Sequence, residues 1–197
     1  MTTGIVIAVI VVILIGLFIL LYNNLVKAST YTQESWSQID VQLKRRNDLI
    51  PNLVSTVQGY ASYEKSTLTK VVELRNQLVA ATGTPQSTAA ERTQTMALSD
   101  QLSNQLKSVF ALSENYPDLK ASAEFSKLME ELTNTENKIA YSRQLYNSSV
   151  ATYNMKLQTF PSNFVAKVTS FKEATYLQVP EEETKTPEVS FKKYEDL

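Results

Sequence analysis

Residues Ile5 to Tyr22 read IVIAVIVVILIGLFILLY, eighteen residues without a charge, and this run limits the chain more than any other feature. Counted from Gly4 as an α-helix it is about 28 Å long, close to the hydrocarbon thickness of a bilayer. Lipid offers the backbone no water, so the run has to be helical, with Ile5, Ile10, Ile15, Leu20 and Tyr22 as membrane-spanning positions. A cleaved leader would carry a basic start, a shorter apolar core and a small-residue cleavage site, whereas the exit here is Asn23-Asn24-Leu25-Val26. Gly16 has Val12 and Leu20 four residues away on either side, so no GxxxG dimerisation face is present. Lysine and arginine are absent before the run, while Lys27 and then Lys44, Arg45 and Arg46 follow it. That asymmetry leans towards an outside N-terminus and a cytoplasmic main domain.

The rest of the chain lacks most of what enzymes use. Its 197 residues contain no cysteine and no histidine. That excludes a disulfide framework, a thiolate nucleophile, an imidazole base and a Cys/His zinc site. The Glu-x-x-His pattern of di-iron bundles cannot be completed, and there is no Asp-rich calcium loop, so neither a metal nor a cofactor is expected. No glycine-rich phosphate loop or Gly-x-Ser-x-Gly elbow occurs. A hydrolase built from carboxylates and serines alone is the one enzymatic reading left. With 19 basic against 20 acidic residues the net charge is −1, which gives no drive towards nucleic acid.

Only four glycines and six prolines interrupt the sequence, which points to an all-α fold. After the apolar run, Trp36, Leu43, Ile50, Val57, Glu64, Val71 and Leu78 fall on a seven-residue frame, and Ile39, Arg46, Leu53, Tyr60, Thr67 and Leu74 form the partner row. This predicts a first helix from Asn23 to Ala81, about 88 Å long, kinked at Asn47 to Pro51 and serving as a membrane-proximal stalk. Gly83 is placed as its terminator, with Thr84 as the next N-cap and Pro85 at the first helical position. The second helix carries Leu98, Leu102, Leu106, Val109 and Leu112 and ends near Tyr116. Pro117 then opens a long return helix with Phe125, Leu128, Leu132, Ile139, Tyr146, Val150, Tyr153, Leu157 and Phe160. Pro161 starts a short helix with Phe164, Val165, Val168 and Phe171. The expected organisation is an anchor over 1–22, a helical bundle over 23–177, and a disordered acidic tail over 178–197 in which Val189-Ser190-Phe191 and Tyr194 could dock.

Four ionisable residues lie in the apolar frames: Arg46, Glu64, Glu136 and Arg143. A charge at a seam costs stability unless it is paired, so Arg46 or Arg143 is expected to meet Glu136 or Glu64 across helices as a structural polar network. Lys44 and Arg45 beside Arg46 make the densest cationic cluster and a candidate interaction surface. About 30 Å beyond the span in an upright helix, they are too far from headgroups to be drawn to them. Trp36 sits too far from the run for an interfacial belt and is expected in a helix contact.

A family resemblance rests on these same residues. Tyr22-Asn23-Asn24-Leu25-Val26, the stretch Trp36 to Val54 with Arg45-Arg46-Asn47-Asp48-Leu49-Ile50-Pro51-Asn52-Leu53, Gly59-Tyr60-Ala61 and Glu64 resemble the LemA family. So do Glu114-Asn115-Tyr116-Pro117-Asp118-Leu119-Lys120-Ala121, Thr135-Glu136-Asn137, Arg143, Tyr146-Asn147, Tyr153-Asn154 and Phe160-Pro161. One departure is Tyr63 before Glu64, where members often have histidine. The resemblance implies a membrane-anchored bacterial protein, single-pass or lipid-anchored, and with the apolar run the expectation is a single-pass protein of the bacterial cell (inner) membrane. It also implies an antiparallel up-and-down helical bundle with no established enzymatic activity and an association with membrane-protein quality control.

Two contact functions follow. In one, identical copies associate into a membrane scaffold through the apolar surplus of the first helix, with the lipid bilayer and further copies as partners. In the other, a monomeric or dimeric adaptor presents Tyr116, Pro117 and Asp118, or the acidic tail, to another envelope protein such as a quality-control protease.

Overall fold

Leucine, isoleucine and valine recurring at threes and fours give each long helix one apolar stripe, and four such stripes close on one another here. The computed structural model describes residues 2–60, 64–82 and 87–178. It contains α1 (Thr2–Tyr60), α2 (Lys65–Ala81), α3 (Ala89–Ser113), α4 (Pro117–Ala121), α5 (Ala123–Gln158) and α6 (Ser162–Val168), with no strand among the described residues. The protein is all-α, and among the described residues only α1 is long and apolar enough, at its N-terminal end, to cross a membrane.

Cross-helix contacts set the directions. Arg46 meets Glu136, Trp36 meets Tyr146 and Asn24 meets Lys156, so α5 runs antiparallel to α1 along most of its length. Arg75 of α2 reaches Asn47 of α1, so α2 folds back beside α1 after Tyr60. Thr95 near the start of α3 bonds the carbonyl of Ala81 at the end of α2, and α3 then turns the chain outward again. The result is an up-and-down bundle of α1, α2, α3 and α5, with α4 at the far corner and α6 at the end next to the apolar run.

The stalk expected over Asn23 to Ala81 is therefore a helical hairpin. The seam residues Trp36, Leu43, Ile50 and Val57 of α1 and Val71, Leu74 and Leu78 of α2 are all buried, but on two helices facing each other. Tyr60, expected in the partner row, is exposed. Pro51 lies inside α1 rather than at the place where the chain folds back. Proline lacks the N–H that would bond the carbonyl of Asn47 one turn earlier. That carbonyl instead accepts from Arg75 Nε at 3.1 Å, so the proline leaves a docking point for α2.

Other boundaries shift as well. The N-cap of α3 is Thr88, not Thr84, and residues 83–86, where Gly83 and Pro85 fall, lie outside the described residues. Thr88 Oγ1 accepts from Glu91 N and the Glu91 carboxylate accepts from Thr88 N, a capping box that holds the Glu91 carboxyl below its usual range. Pro117 opens the short α4, and the long return helix starts after it, capped by Ser122. It ends at Gln158, leaving Phe160 81% exposed rather than in the core.

Removing the Arg75 contact through Arg75→Met is expected to lower stability by about 1 kcal/mol. Beside Pro51→Ala, which restores the helical N–H to Asn47, the same change should cost much less. Denaturant titration of the two single variants and the double variant measures that coupling; additive losses would show that Arg75 does not serve the proline site.

Candidate functional site

The centre of the bundle is polar. Arg46 points inward from α1 with its side chain fully enclosed. Its Nη1 donates to Glu136 Oε1 on α5 at 2.8 Å and to Ser103 Oγ on α3 at 2.8 Å, and its Nη2 donates to Ser99 Oγ at 2.9 Å. Ser103 Oγ lies 2.9 Å from Glu136 Oε2 and 3.1 Å from the carbonyl of Ser99, so its one proton serves either acceptor. One guanidinium thus ties three helices together. Glu136 is different from its partner: 31% of its side chain reaches solvent.

The other frame charges separate. Arg143, one heptad after Glu136 on α5, pairs with Asp100 on α3. Glu64 occupies the N-cap position of α2 and makes no capping bond with its side chain, so it takes no part in the network. Lys44 and Arg45 are exposed on α1, while Tyr116 is half-buried and Pro117 and Asp118 are exposed at the α4 corner. Asp100, Ser99 and Ser103 were not singled out by the sequence; a serine pair four residues apart on an apolar helix row is their only trace.

A second layer lies towards the apolar run. Trp36 is buried edge-on to Tyr146, with ring centroids 5.8 Å apart. The guanidinium of Arg92 sits 5.1 Å from the Trp36 ring centre and 5.8 Å from that of Tyr146, an arrangement favoured by the aromatic quadrupoles. Asp40 lies one turn beyond Trp36. Burial pushes its carboxyl up, against the opposing pull of the Arg92 guanidinium.

The Tyr-Asn pairs explain the third layer. After α6, the backbone of Ser170 adopts φ 59, with Ser170 N bonding Lys167 O and Phe171 N bonding Ala166 O. This cap turns the chain so that residues 171–178 run back along α5 as an extended strap. Asn154 brackets Ala174 by donating to its carbonyl and accepting from its N–H, both at 2.9 Å. Asn147 brackets Leu177 in the same way at 3.0 and 2.9 Å. Tyr153 donates to the carbonyl of Lys172 and Tyr146 to that of Thr175. Two tyrosine-asparagine pairs seven residues apart therefore hold an extended segment whose backbone has no strand to join. The strap ends with Leu177 buried; the tail over 179–197 and its docking segment lie outside the described residues.

The serine hydroxyl that meets a carboxylate here, Ser103 at 2.9 Å from Glu136, shares that carboxylate with the Arg46 guanidinium. Among the described residues, no group of three or more Asp or Glu side chains is placed to hold a metal. What the residues do is fix helix register and pin the C-terminal strap.

Breaking the Arg46–Glu136 pair should be asymmetric. Glu136→Gln leaves an enclosed charge without its counter-ion and is expected to cost about 3 kcal/mol, whereas Arg46→Met leaves a carboxylate that reaches water and should cost clearly less. Thermal melts in detergent rank the two variants; the reverse order would rule out this account. Asn154→Ala removes both bonds to Ala174 and should strip hydrogen-exchange protection from that amide while leaving amides in the centre of α3 protected.

The strap and the buried arginine lie within sequence shared with known proteins. The chain is similar to Magnetosome protein MamQ 2 of Paramagnetospirillum magneticum, 29% identical over 186 residues that cover 85% of this chain and 68% of that protein. It is 27% identical to Magnetosome protein MamQ of Magnetospirillum gryphiswaldense over 173 residues, covering 79% and 64%. It is also 27% identical to Protein LemA of Metamycoplasma hominis over 157 residues, covering 78% and 68%. The model of the LemA family matches residues 35–191, from Ser35 in the middle of α1 through the strap and into the acidic tail, and the chain belongs to that family.

Proposed function

We propose that this protein is a non-enzymatic, single-pass membrane scaffold: the N-terminal part of α1 spans a bacterial cell membrane, the bundle stands on its cytoplasmic side, and copies associate laterally to organise or shape the bilayer. The observation that carries this reading is the continuity of α1. The apolar run and the first wall of the bundle are one helix of 59 residues, so no linker separates the span from the contact surfaces. A sideways contact between bundles therefore sets the spacing and tilt of the spans beneath them.

The apolar surplus expected to drive association is consumed inside the chain, because α2, α3 and α5 cover the seam of α1. Lateral contact falls instead to the outer surface of α1 and α5. Val41 is 62% exposed and Tyr141 67% exposed, and the antiparallel register of the two helices puts them at one level.

The adaptor reading is favoured by a different place. The exposed Pro117 and Asp118 at the α4 corner stand at the end of the bundle furthest from the apolar run, where an envelope partner could reach them.

Light scattering on the full-length protein in mild detergent separates the two. A uniform closed assembly is expected, reduced to smaller species by Val41→Arg or Tyr141→Arg with the helical signal unchanged. A monomer in every case, cross-linking through the α4 corner to a distinct protein, would replace the scaffold with the adaptor.

A further inference from the structure

Three apolar side chains at the end of the bundle nearest the apolar run have no cover among the described residues. Phe160, Phe164 and Val168 are 81%, 65% and 60% exposed. Phe164 and Val168, four residues apart, stand on one side of α6, and Phe160 lies in the turn that leads into it. The opposite side of α6 is in the core: Val165 and Ala166 pack with Leu25, and Phe18, Leu21 and Phe171 close around them.

Those neighbours fix the level of α6. Phe18 and Leu21 belong to the apolar run, and Leu25 lies three residues past its end, about 4.5 Å further along the axis. Tyr22, the last residue of the run, also meets Phe171 with ring centroids 5.9 Å apart. The short helix therefore straddles the point where α1 leaves the run, and its bare aromatic side lies where a bilayer surface would be.

The charge around it matches that position. Lys27, Lys167 and Lys172 are exposed at this end, and Lys156 reaches Asn24 just past the run. The nearby Glu173 is engaged by Gln158. Apolar side chains beside a ring of lysines suit the boundary between acyl chains and anionic headgroups better than they suit water or a neutral protein face.

We propose that α6 is an interfacial foot. Phe160, Phe164 and Val168 enter the headgroup boundary of the leaflet beside α1, and the surrounding lysines rest on anionic lipid. Only Lys27 lies close to the run in sequence; the fold brings the other cations there. With α1 as the first contact and α6 as the second, the bundle is held against rotation about the axis of α1. This proposal rests on the reading of α1 as a span.

The absence of cysteine allows single nitroxide labels in the full-length protein, reconstituted in vesicles of phosphatidylcholine and phosphatidylglycerol. Labels at Phe164→Cys, at Ile13→Cys within the run and at Lys70→Cys on α2 are compared for exposure to oxygen, which partitions into lipid, and to a water-soluble nickel chelate. The oxygen preference at Phe164 is expected to exceed that at Lys70 several-fold, to fall short of that at Ile13, and to weaken in vesicles of phosphatidylcholine alone. Val168→Cys reads the same side should the Phe164 substitution fail to fold. A label at Phe164 as open to nickel as Lys70, with Ile13 still deep, overturns the foot while leaving the span intact. A label at Ile13 open to nickel overturns the span and the foot with it. Protection at Phe164 from both reagents shows protein rather than lipid on this side and overturns the foot.

Discussion

A single enclosed charge sets the internal register of this bundle. An arginine with no access to water is tolerable only where acceptors meet it at fixed positions, and Arg46 finds Glu136, Ser103 and Ser99 on two other helices. Sliding α5 by one turn would remove the carboxylate, and sliding α3 would remove both hydroxyls. The leucine and isoleucine layers above and below would tolerate such a slip far better, since one apolar contact resembles the next. Apolar packing thus supplies most of the attraction, while the arginine selects one alignment among several that packing alone would allow.

Much of this was legible in the residues. The spacing of Phe125, Leu128, Leu132, Ile139, Tyr146 and Val150 gave α5 its buried side, and Arg46 and Glu136 stood out as charges in apolar frames. The hairpin after Tyr60 was hidden because α2 takes up the seven-residue frame of α1 in the same phase, Val71 following Val57 by two heptads. A frame that does not shift gives no sign that the helix carrying it has reversed. Pro51 does not shift that frame either: α1 continues through it, and the hydrogen bond it removes is made good by a residue from α2. Thr88 and Glu91 spelled a capping box that could have placed the start of α3, but Thr84-Pro85 four residues earlier offered the same kind of signal. The strap left no apolar alternation to read. Its partners are side-chain amides and phenols, and only the repeat of Tyr146-Asn147 as Tyr153-Asn154 marked them.

The asparagine brackets solve a problem that an extended segment beside a helix always has. A helix has already used its backbone groups and offers none to a neighbouring strand. Each amide side chain presents one donor and one acceptor side by side, as a peptide group does, and can therefore stand in for a strand at one residue. Placed seven apart on α5, Asn147 and Asn154 meet residues 177 and 174 of the strap. Two helical turns rise about 10.5 Å and three extended residues span about 10 Å, so the two repeats match.

The strap also decides where the acidic end of the chain begins. It leaves α6 beside the apolar run and climbs away from it, so its last held residue, Leu177, is bracketed by the neighbour of Tyr146, the ring packed on Trp36. Trp36 stands fourteen residues beyond Tyr22, about 21 Å along α1. The end of the strap therefore stands more than two Debye lengths above the level of the run at physiological salt, while Lys27, Lys167 and Lys172 stay near it. Pinning the strap to α5 thus carries the chain away from the basic end of the bundle, and leaves that end free to meet a negatively charged surface.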